Sequence, residues 1–418
     1  MNHFIIMIII TCIIGFAISW SVGANDLANI VSTSIGSKSV SKKQILLIVV
    51  IFEFAGALLG GSHIVNTLSN SIFNINILQI HYSQINLAMF SVMTASASWM
   101  IFASIFGLPA SITQTIIGSI IGFIVFTFGI QAINWKILLF ILSSWMIAPL
   151  FAMILSAVLF KLIKITVLTN RYPAKQMRIF FPIYLLFAIS LLSSTLVLKI
   201  ILHFDLTYSN HIKIILILIL IISSTLLIIN RVKIIKNSTK NMNRHKQYKY
   251  VESLFSILTI ISSCSMIFAH GANDVAVTIS PIAILFNNGL HLFFDQYSFI
   301  IIALITCGIL LGLFTYGKKI IYSIGSGITA LTPSRAFIAN ISSSFIVILA
   351  NSMGIPVSAT QTLVGGILGV GISKGLFAIN LKLVRNILLS WLITLPITAI
   401  LSGIYFSLLK FIIMQFFS

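Results

Sequence analysis

The sequence predicts an all-α polytopic membrane protein with about 12 transmembrane segments in two inverted-topology repeats, with broken helices at the motif sites. Three observations lead to this fold: a very apolar composition, an uneven distribution of basic residues between alternate loops, and a set of duplicated motifs. Of the 418 residues, 59% are hydrophobic and 7% are charged, and the mean hydropathy is +1.13. A bilayer core needs about 20 apolar residues per helix. Backbone groups in lipid must be satisfied within the segment, which favours helices.

We predict twelve apolar segments in three regions. Residues 1–160 form the first membrane repeat, with segments near 4–22, 45–62, 86–106, 113–130 and 137–160. Residues 161–250 hold scaffold helices near 180–202 and 212–230 and a basic cytoplasmic linker at 231–249. Residues 251–418 form the second membrane repeat, with segments near 254–270, 298–316, 336–352, 357–373 and 386–413. No basic residue precedes the first apolar run, so we expect a permanent helix there rather than a cleaved signal.

The basic residues indicate how the chain is oriented. If all twelve segments cross, 21 of the 25 Lys and Arg residues fall on one side of the membrane. The positive-inside rule makes that side cytoplasmic and places both termini outside. The net charge of +19 is spread over short loops, so it indicates contact with lipid headgroups rather than a nucleic-acid surface.

Three blocks recur in the same order along the chain. Gly23-Ala-Asn-Asp26 recurs as Gly271-Ala-Asn-Asp274, at an offset of 248. Gly107-Leu-Pro-Ala-Ser-Ile-Thr-Gln-Thr115 recurs as Gly354-Ile-Pro-Val-Ser-Ala-Thr-Gln-Thr362, at an offset of 247, and Ser144-Trp145 recurs as Ser390-Trp391. Seven predicted segments separate the two Gly-Ala-Asn-Asp copies, so the copies should point in opposite directions. Inverted repeats are typical of secondary transporters, which bind substrate near the midplane.

The chain contains six acidic residues, and two of them occupy matched places in the repeats. Asp26 and Asp274 each follow an apolar segment, with Asn25 and Asn273 beside them. A carboxylate within a bilayer is costly and usually functional. The alternative is a helix cap, for which Asn and Asp are common, and both roles can hold together. Asp205 and Asp295 are expected in solvated outside loops, and Glu252 at the beginning of a helix, where it complements the helix dipole.

The Pro-x-Ser-x-Thr-Gln-Thr blocks predict an anion site. Pro109 and Pro356 should interrupt or start helices. Backbone N–H groups at a helix start bind anions, and nearby hydroxyls add hydrogen bonds to oxyanion oxygens. The alternative is that the Ser and Thr residues let helices pack closely in lipid. The hydroxyl residues proposed for binding are Ser111, Thr113, Ser358 and Thr360.

Charge balance then predicts a transported cation. The motif segments contain two Asp residues and no Lys or Arg, and buried like charges are very unfavourable. Na⁺, a divalent ion arriving with the anion, or a proton on an Asp would compensate. Glu53 lies inside an apolar run and is either a proton or cation site or a structural acid paired across helices. We expect a packed, neutral His270, no resident metal or cofactor and no catalytic residue.

These blocks resemble the inorganic phosphate transporter (PiT) family of cation-coupled symporters. The resemblance rests on Gly23–Asn29, on Phe268–Ala276 with Pro281, on Glu53–Gly61, on Thr332–Arg335 and on both Pro-x-Ser-x-Thr blocks. It implies uptake of inorganic phosphate with Na⁺ or H⁺, in a bacterial inner membrane protein of the low-affinity permease type. By position, it implies that phosphate and cation bind at Asn25, Asp26, Ser111, Thr113, Asn273, Asp274, Ser358 and Thr360. Coupling or supporting roles would fall to Glu53, Asn29, Gln114, Thr115, Gln361 and Thr362.

The sequence also departs from the family pattern. Gln114 and Gln361 stand where His is frequent, Val277 replaces an Asn, and Asn340 occupies a place where many members carry Glu. These changes leave open the coupling ion and leave room for sulfate or another tetrahedral oxyanion. A membrane enzyme, such as an intramembrane hydrolase, is a remote alternative because the mirrored Ser and Thr blocks have no role in that chemistry. A sensor without transport is a third alternative, and a homodimer is left open.

Overall fold

A computed structural model describes residues 2–61, 64–65, 67–68, 82–203, 222, 226, 242–287, 291–325, 327–375 and 379–416. These residues form α-helices and no strand. The helices before the central region are α1 (Asn2–Val22), α2 (Ala28–Gly36), α3 (Lys42–Gly60), α4 (Tyr82–Phe106), α5 (Ile112–Phe128), α6 (Trp135–Ile163) and α7 (Pro173–His203). The later helices are α8 (Arg244–His270), α9 (Ala276–Asn287), α10 (His291–Tyr316), α11 (Lys318–Gly325), α12 (Pro333–Ser352), α13 (Ala359–Ile372) and α14 (Leu381–Phe416).

The described helices are those of an integral membrane protein. Nine of the described helical stretches are long and apolar enough to cross a bilayer, and Ile112–Phe128 and Ala359–Ile372 are shorter apolar helices. Together these eleven coincide with eleven of the predicted segments. The twelfth, 212–230, lies outside the described residues, as do Asp205 and most of the linker at 231–249. The number of crossings and the inverted orientation of the repeats therefore stay predictions.

Several predicted segments were too short, because the helices continue beyond the residues that hydropathy indicates. Polar motif residues continue the helix after α1 and after α8, because a π-helical turn accommodates them at Gly23–Leu27 and at Gly271–Val275. Asp295 lies within α10 rather than in a loop. Arg244 begins α8, where the Asn243 side chain accepts a hydrogen bond from the Lys246 N–H (3.1 Å). Glu252 is therefore well inside α8 and cannot serve its N-terminus.

Each Pro-x-Ser-x-Thr helix packs against a long helix from the other end of the chain. Helix α5 packs against α14, and α13 packs against α6. The contacts are close because glycines line them: a Cβ at Gly118 or Gly122 would overlap α14, and a Cβ at Gly365 or Gly369 would overlap α6. Small residues allow this backbone approach in membrane helices. Helices from the first and last parts of the chain therefore pack against each other next to the motif residues.

Candidate functional site

The first Asn-Asp pair holds the start of α5. In the buried turn Gly23–Leu27, the Asn25 Nδ2 donates to the Leu108 carbonyl (2.8 Å) and its Oδ1 accepts from the Ala110 N–H (3.2 Å). Asp26 Oδ2 accepts from the Ile112 N–H (2.9 Å), the first residue of α5. Asp26 therefore does cap a helix, but the helix is α5, about 85 residues away in sequence, rather than its own. The chain is broken between α4 and α5, as predicted for this block, and not at Asp26.

The second Asn-Asp pair approaches the start of α13 in a different way. The Asn273 Nδ2 donates to the Val357 carbonyl (2.7 Å) and also to Asp274. No hydrogen bond joins Asp274 to α13 among the described contacts. Instead, Ser358 caps its own helix by accepting from the Gln361 N–H (3.2 Å), and its hydroxyl also contacts that of Thr360 (3.1 Å).

Residues of the two repeats contact each other at Val357. The Thr113 hydroxyl of the first block donates to the Val357 carbonyl (3.2 Å), the same oxygen that Asn273 binds. Asp26 and Asp274 are close enough to repel each other electrostatically. The eight predicted binding residues are all between 0% and 3% exposed: Asn25, Asp26, Ser111, Thr113, Asn273, Asp274, Ser358 and Thr360. The structure thus gathers the predicted residues into one buried region.

Four motif residues are among those with a buried oxygen that lacks a partner, and other such oxygens lie elsewhere in the described structure. Buried side-chain oxygens that make no hydrogen bond within the described structure occur on Asp26 (Oδ1), Asn273 (Oδ1), Gln114 (Oε1) and Gln361 (Oε1). Leaving a buried polar atom unsatisfied is costly. Oxygen acceptors of this kind are hard ligands, which suit Na⁺ or another hard cation. The arrangement can therefore accept a cation as well as an anion.

A buried histidine joins two carboxylates beside the second motif. His270 Nδ1 lies 2.8 Å from Glu53 Oε1, in hydrogen-bonding geometry. His270 Nε2 lies 2.9 Å from Asp274 Oδ2, which is ion-pair distance without hydrogen-bond geometry. A neutral imidazole donates from one ring nitrogen, so hydrogen bonds to both carboxylates of this trio would need a further proton, on the imidazole or on a carboxyl group. Glu53 is thus paired across helices with His270, and its role as a proton or cation site stays a prediction.

The sequence predicted a packed, neutral His270; the structure shows a fully buried His270 in contact with two carboxylates, which the sequence interpretation did not foresee. One signal was available: His270 and Asp274 are four residues apart, which places them on the same helix face. The contact with Glu53 depends on close packing of α3. A Cβ at Gly56 would overlap the Phe268 carbonyl, and a Cβ at Gly271 would overlap the Glu53 carbonyl. His270 can therefore carry positive charge beside these acids, in a site whose motif segments contain no Lys or Arg.

The residues predicted to support the site have different surroundings in the structure. The Thr115 and Thr362 hydroxyls donate to the carbonyls of Ser111 (2.7 Å) and Ser358 (2.8 Å), so they stabilise their own helices. Asn29 contacts Asn25 at 3.5 Å. Gln114 and Gln361 are buried and keep a free oxygen, as described above. Asn340 is part of a separate buried cluster, where its Oδ1 accepts from Thr33 (2.8 Å) and its Nδ2 donates to Ser263 (3.1 Å).

Two further side chains hold the starts of helices or the segments that lead into them. The Trp145 Nε1 of α6 donates to the Pro356 carbonyl (3.2 Å), which fixes the segment leading into α13. Glu252 accepts hydrogen bonds from the Ser334 N–H (2.9 Å) and hydroxyl (2.8 Å), so it caps α12 rather than its own helix. Both contacts join segments that are far apart in sequence.

This chain is similar to known proteins in both sequence and structure. The sequence profile described as the phosphate transporter family matches residues 22–402. A Haemophilus influenzae protein named "Putative phosphate permease" is 35% identical over 421 residues, covering 97% of this chain and 96% of that protein. A similarly named Pyrococcus horikoshii protein is 33% identical, covering 97% and 98%. A solved structure described as "The sodium-dependent phosphate transporter" is 31% identical with a TM-score of 0.85, covering 97% of this chain and 99% of that chain.

Proposed function

The chain belongs to the phosphate transporter family, and from that premise we propose that it takes up inorganic phosphate in symport with a cation, Na⁺ or H⁺. The family is one of transporters rather than enzymes, which removes the intramembrane enzyme from consideration. The observation that carries the proposal is the convergence of both Pro-x-Ser-x-Thr helix starts on the two Asn-Asp pairs, within one buried region.

Phosphate would bind at the N-terminal ends of α5 and α13. The hydroxyls of Ser111, Thr113, Ser358 and Thr360 would donate to its oxygens, together with backbone N–H groups at the positive ends of the helix dipoles. The N–H groups of Ile112 and Gln361 already have side-chain partners. Asn25 and Asn273 would position the two helix starts by holding the carbonyls of Leu108 and Val357.

The cation would bind through oxygens of the motif acids and amides. Asp26, Glu53 and Asp274 place three acids in the interior with one histidine between two of them, and an entering phosphate adds negative charge. Burying these charges without compensation is strongly unfavourable. The unpartnered oxygen of Asp26 and those of Asn273, Gln114 and Gln361 supply ligands. The solved structure at 31% identity is described as sodium-dependent, which favours Na⁺ as the first ion to test.

The remaining features of the proposal follow from topology. Residues 1–160 and 251–418 would be the inverted repeats, and residues 161–250 would be scaffold and linker. Both termini would lie outside a bacterial inner membrane, because the basic loops favour the cytoplasm. A homodimer is compatible with this arrangement. Alternating exposure of the site would then move phosphate and cation inward together.

Uptake of radiolabelled phosphate into proteoliposomes tests the proposal. We expect uptake that requires an inward Na⁺ or H⁺ gradient, resolved by replacing Na⁺ with choline across a pH series. Excess unlabelled phosphate should abolish the signal and excess sulfate should leave it unchanged. If sulfate abolishes uptake and phosphate does not compete for labelled sulfate, the substrate is sulfate. Uptake that is independent of both gradients would contradict symport.

A further inference from the structure

An apolar groove lies between four helices, away from the motif residues. It has a volume of about 120 Å³ and is bounded by α2, α3, α10 and α11. Apolar side chains form almost all of its wall, and one basic side chain lies at its edge. The main lining residues are Val31, Ile35, Ile45, Leu313, Phe314 and Lys318.

The groove opens on a surface that faces lipid. On α3, Leu47 is 64% exposed and Ile51 is 53% exposed. On α10, Leu311 and the groove residue Phe314 are also exposed. Both helices are candidate membrane spans, so these exposed apolar side chains contact acyl chains in a bilayer. A groove between them is therefore open to a lipid chain rather than to water.

The charge at the groove end of these helices is positive. Lys318 is exposed and begins α11, and Lys38 and Lys43 are exposed at the junction of α2 and α3. The acid on α3, Glu53, is paired with His270 in the interior. The acid on α10, Asp295, lies 18 residues from Leu313, about 27 Å along a helix. Among the described residues, no acidic side chain faces Lys318.

We propose that this groove binds one acyl chain of an anionic phospholipid, with Lys318 contacting the phosphate of its headgroup. Basic pockets between membrane helices on the cytoplasmic side suit anionic headgroups, and the chain fills the apolar wall. A free phosphate ion would not fill an apolar groove, so the occupant is the lipid.

The bound lipid would also support the transport site. Helix α2 supplies Val31 and Ile35 to the groove wall and continues directly from the turn that holds Asn25 and Asp26. An occupied groove keeps α2 packed against α11, and the preceding turn against α10, and so keeps Asp26 against α5. This consequence for transport rests on the proposed function, whereas lipid binding does not.

Native mass spectrometry of the full-length protein tests binding with phosphatidylglycerol and phosphatidylcholine as probes. We expect the wild-type protein to retain phosphatidylglycerol, and the Lys318→Gln variant to retain it about fivefold less, as expected for one lost Lys contact. Lys410→Gln is the matched control, because Lys410 lies in α14 away from the groove and should retain lipid like the wild type.

A second variant tests the apolar part of the groove. Ile35→Trp should fill the groove and lower retention of phosphatidylglycerol further. Leu46 of α3 also lines the groove, and Leu46→Trp serves if the first variant fails to fold by size-exclusion chromatography. Wild-type retention in Lys318→Gln and in a folded Trp variant would overturn the proposal, and so would equal retention of phosphatidylcholine. Failure of phosphate uptake in the wild-type protein would contradict the proposed function and leave these binding results unaffected.

Discussion

The two Gly-Ala-Asn-Asp copies have the same backbone packing and different chemistry around it. A Cβ at Gly23 would overlap the Ile309 carbonyl, and a Cβ at Gly271 would overlap the Glu53 carbonyl. Ile309 thus stands where Glu53 stands, and Val22 precedes the first copy where His270 precedes the second. All four side chains are fully buried. The first Asp has apolar neighbours at these places, and the second has an acid and a histidine.

The two Asp residues occupy matched positions in the motifs but make different contacts. Asp26 has one oxygen on the α5 N-terminus and one without a partner. Asp274 is instead held by His270 and Asn273. We therefore expect Asp26 to be the more available of the two carboxylates for an incoming cation.

The largest effect is expected from removing the motif charges. Asp26→Asn and Asp274→Asn should each lower phosphate uptake roughly 10- to 100-fold, since interactions of a charged group contribute about 1.5–3 kcal/mol. An Asn at position 26 can still accept from the Ile112 N–H, so the protein should fold and insert. Uptake in proteoliposomes and size-exclusion chromatography measure the two properties. Wild-type uptake in either folded variant would show that its Asp is only a structural residue.

The next effect is on stability rather than transport, and it is expected from converting the second copy to the chemistry of the first. His270→Val should destabilise the protein by about 3–5 kcal/mol, because it leaves buried carboxylates without their partner. The double variant Glu53→Ile with His270→Val should recover most of this loss, since apolar replacement of a buried pair is often neutral. Thermal unfolding in detergent measures both. An unchanged midpoint in His270→Val would show that the trio is not an ion-paired unit.

The smallest effect is expected at the two helix starts. Ser358→Ala should lower stability by about 1 kcal/mol, because Ser358 caps α13 with its own hydroxyl. Ser111→Ala should change it by less than about 0.5 kcal/mol, because the Ser111 hydroxyl makes no cap and Asp26 serves α5 instead. Thermal unfolding of the pair provides the comparison. Equal losses would mean that Asp26 does not replace the missing cap.

Local patterns predicted most of the helices and failed at their ends. Hydropathy located eleven described segments, because lipid exposure demands apolar side chains whatever the tertiary structure. It ended the first span at residue 22, although the helix continues through the π turn into α2, and it began α8 at residue 254 rather than at Arg244. Polar residues lower the hydropathy average whether or not the helix continues. Whether Asn25 and Asp26 break a helix or continue it as a π turn depends on α5, whose start they bind.

The sequence by itself determined the membrane class, the family and the identity of the paired Asn, Asp, Ser and Thr residues, because composition and duplicated motifs are properties of the chain alone. Tertiary structure decided which of those residues meet. It placed Thr113 on the carbonyl that Asn273 binds, and it brought Glu53 to His270 through a glycine-lined contact between α3 and α8. Partners more than 200 residues apart are set by how helices pack, and no local pattern reports that packing.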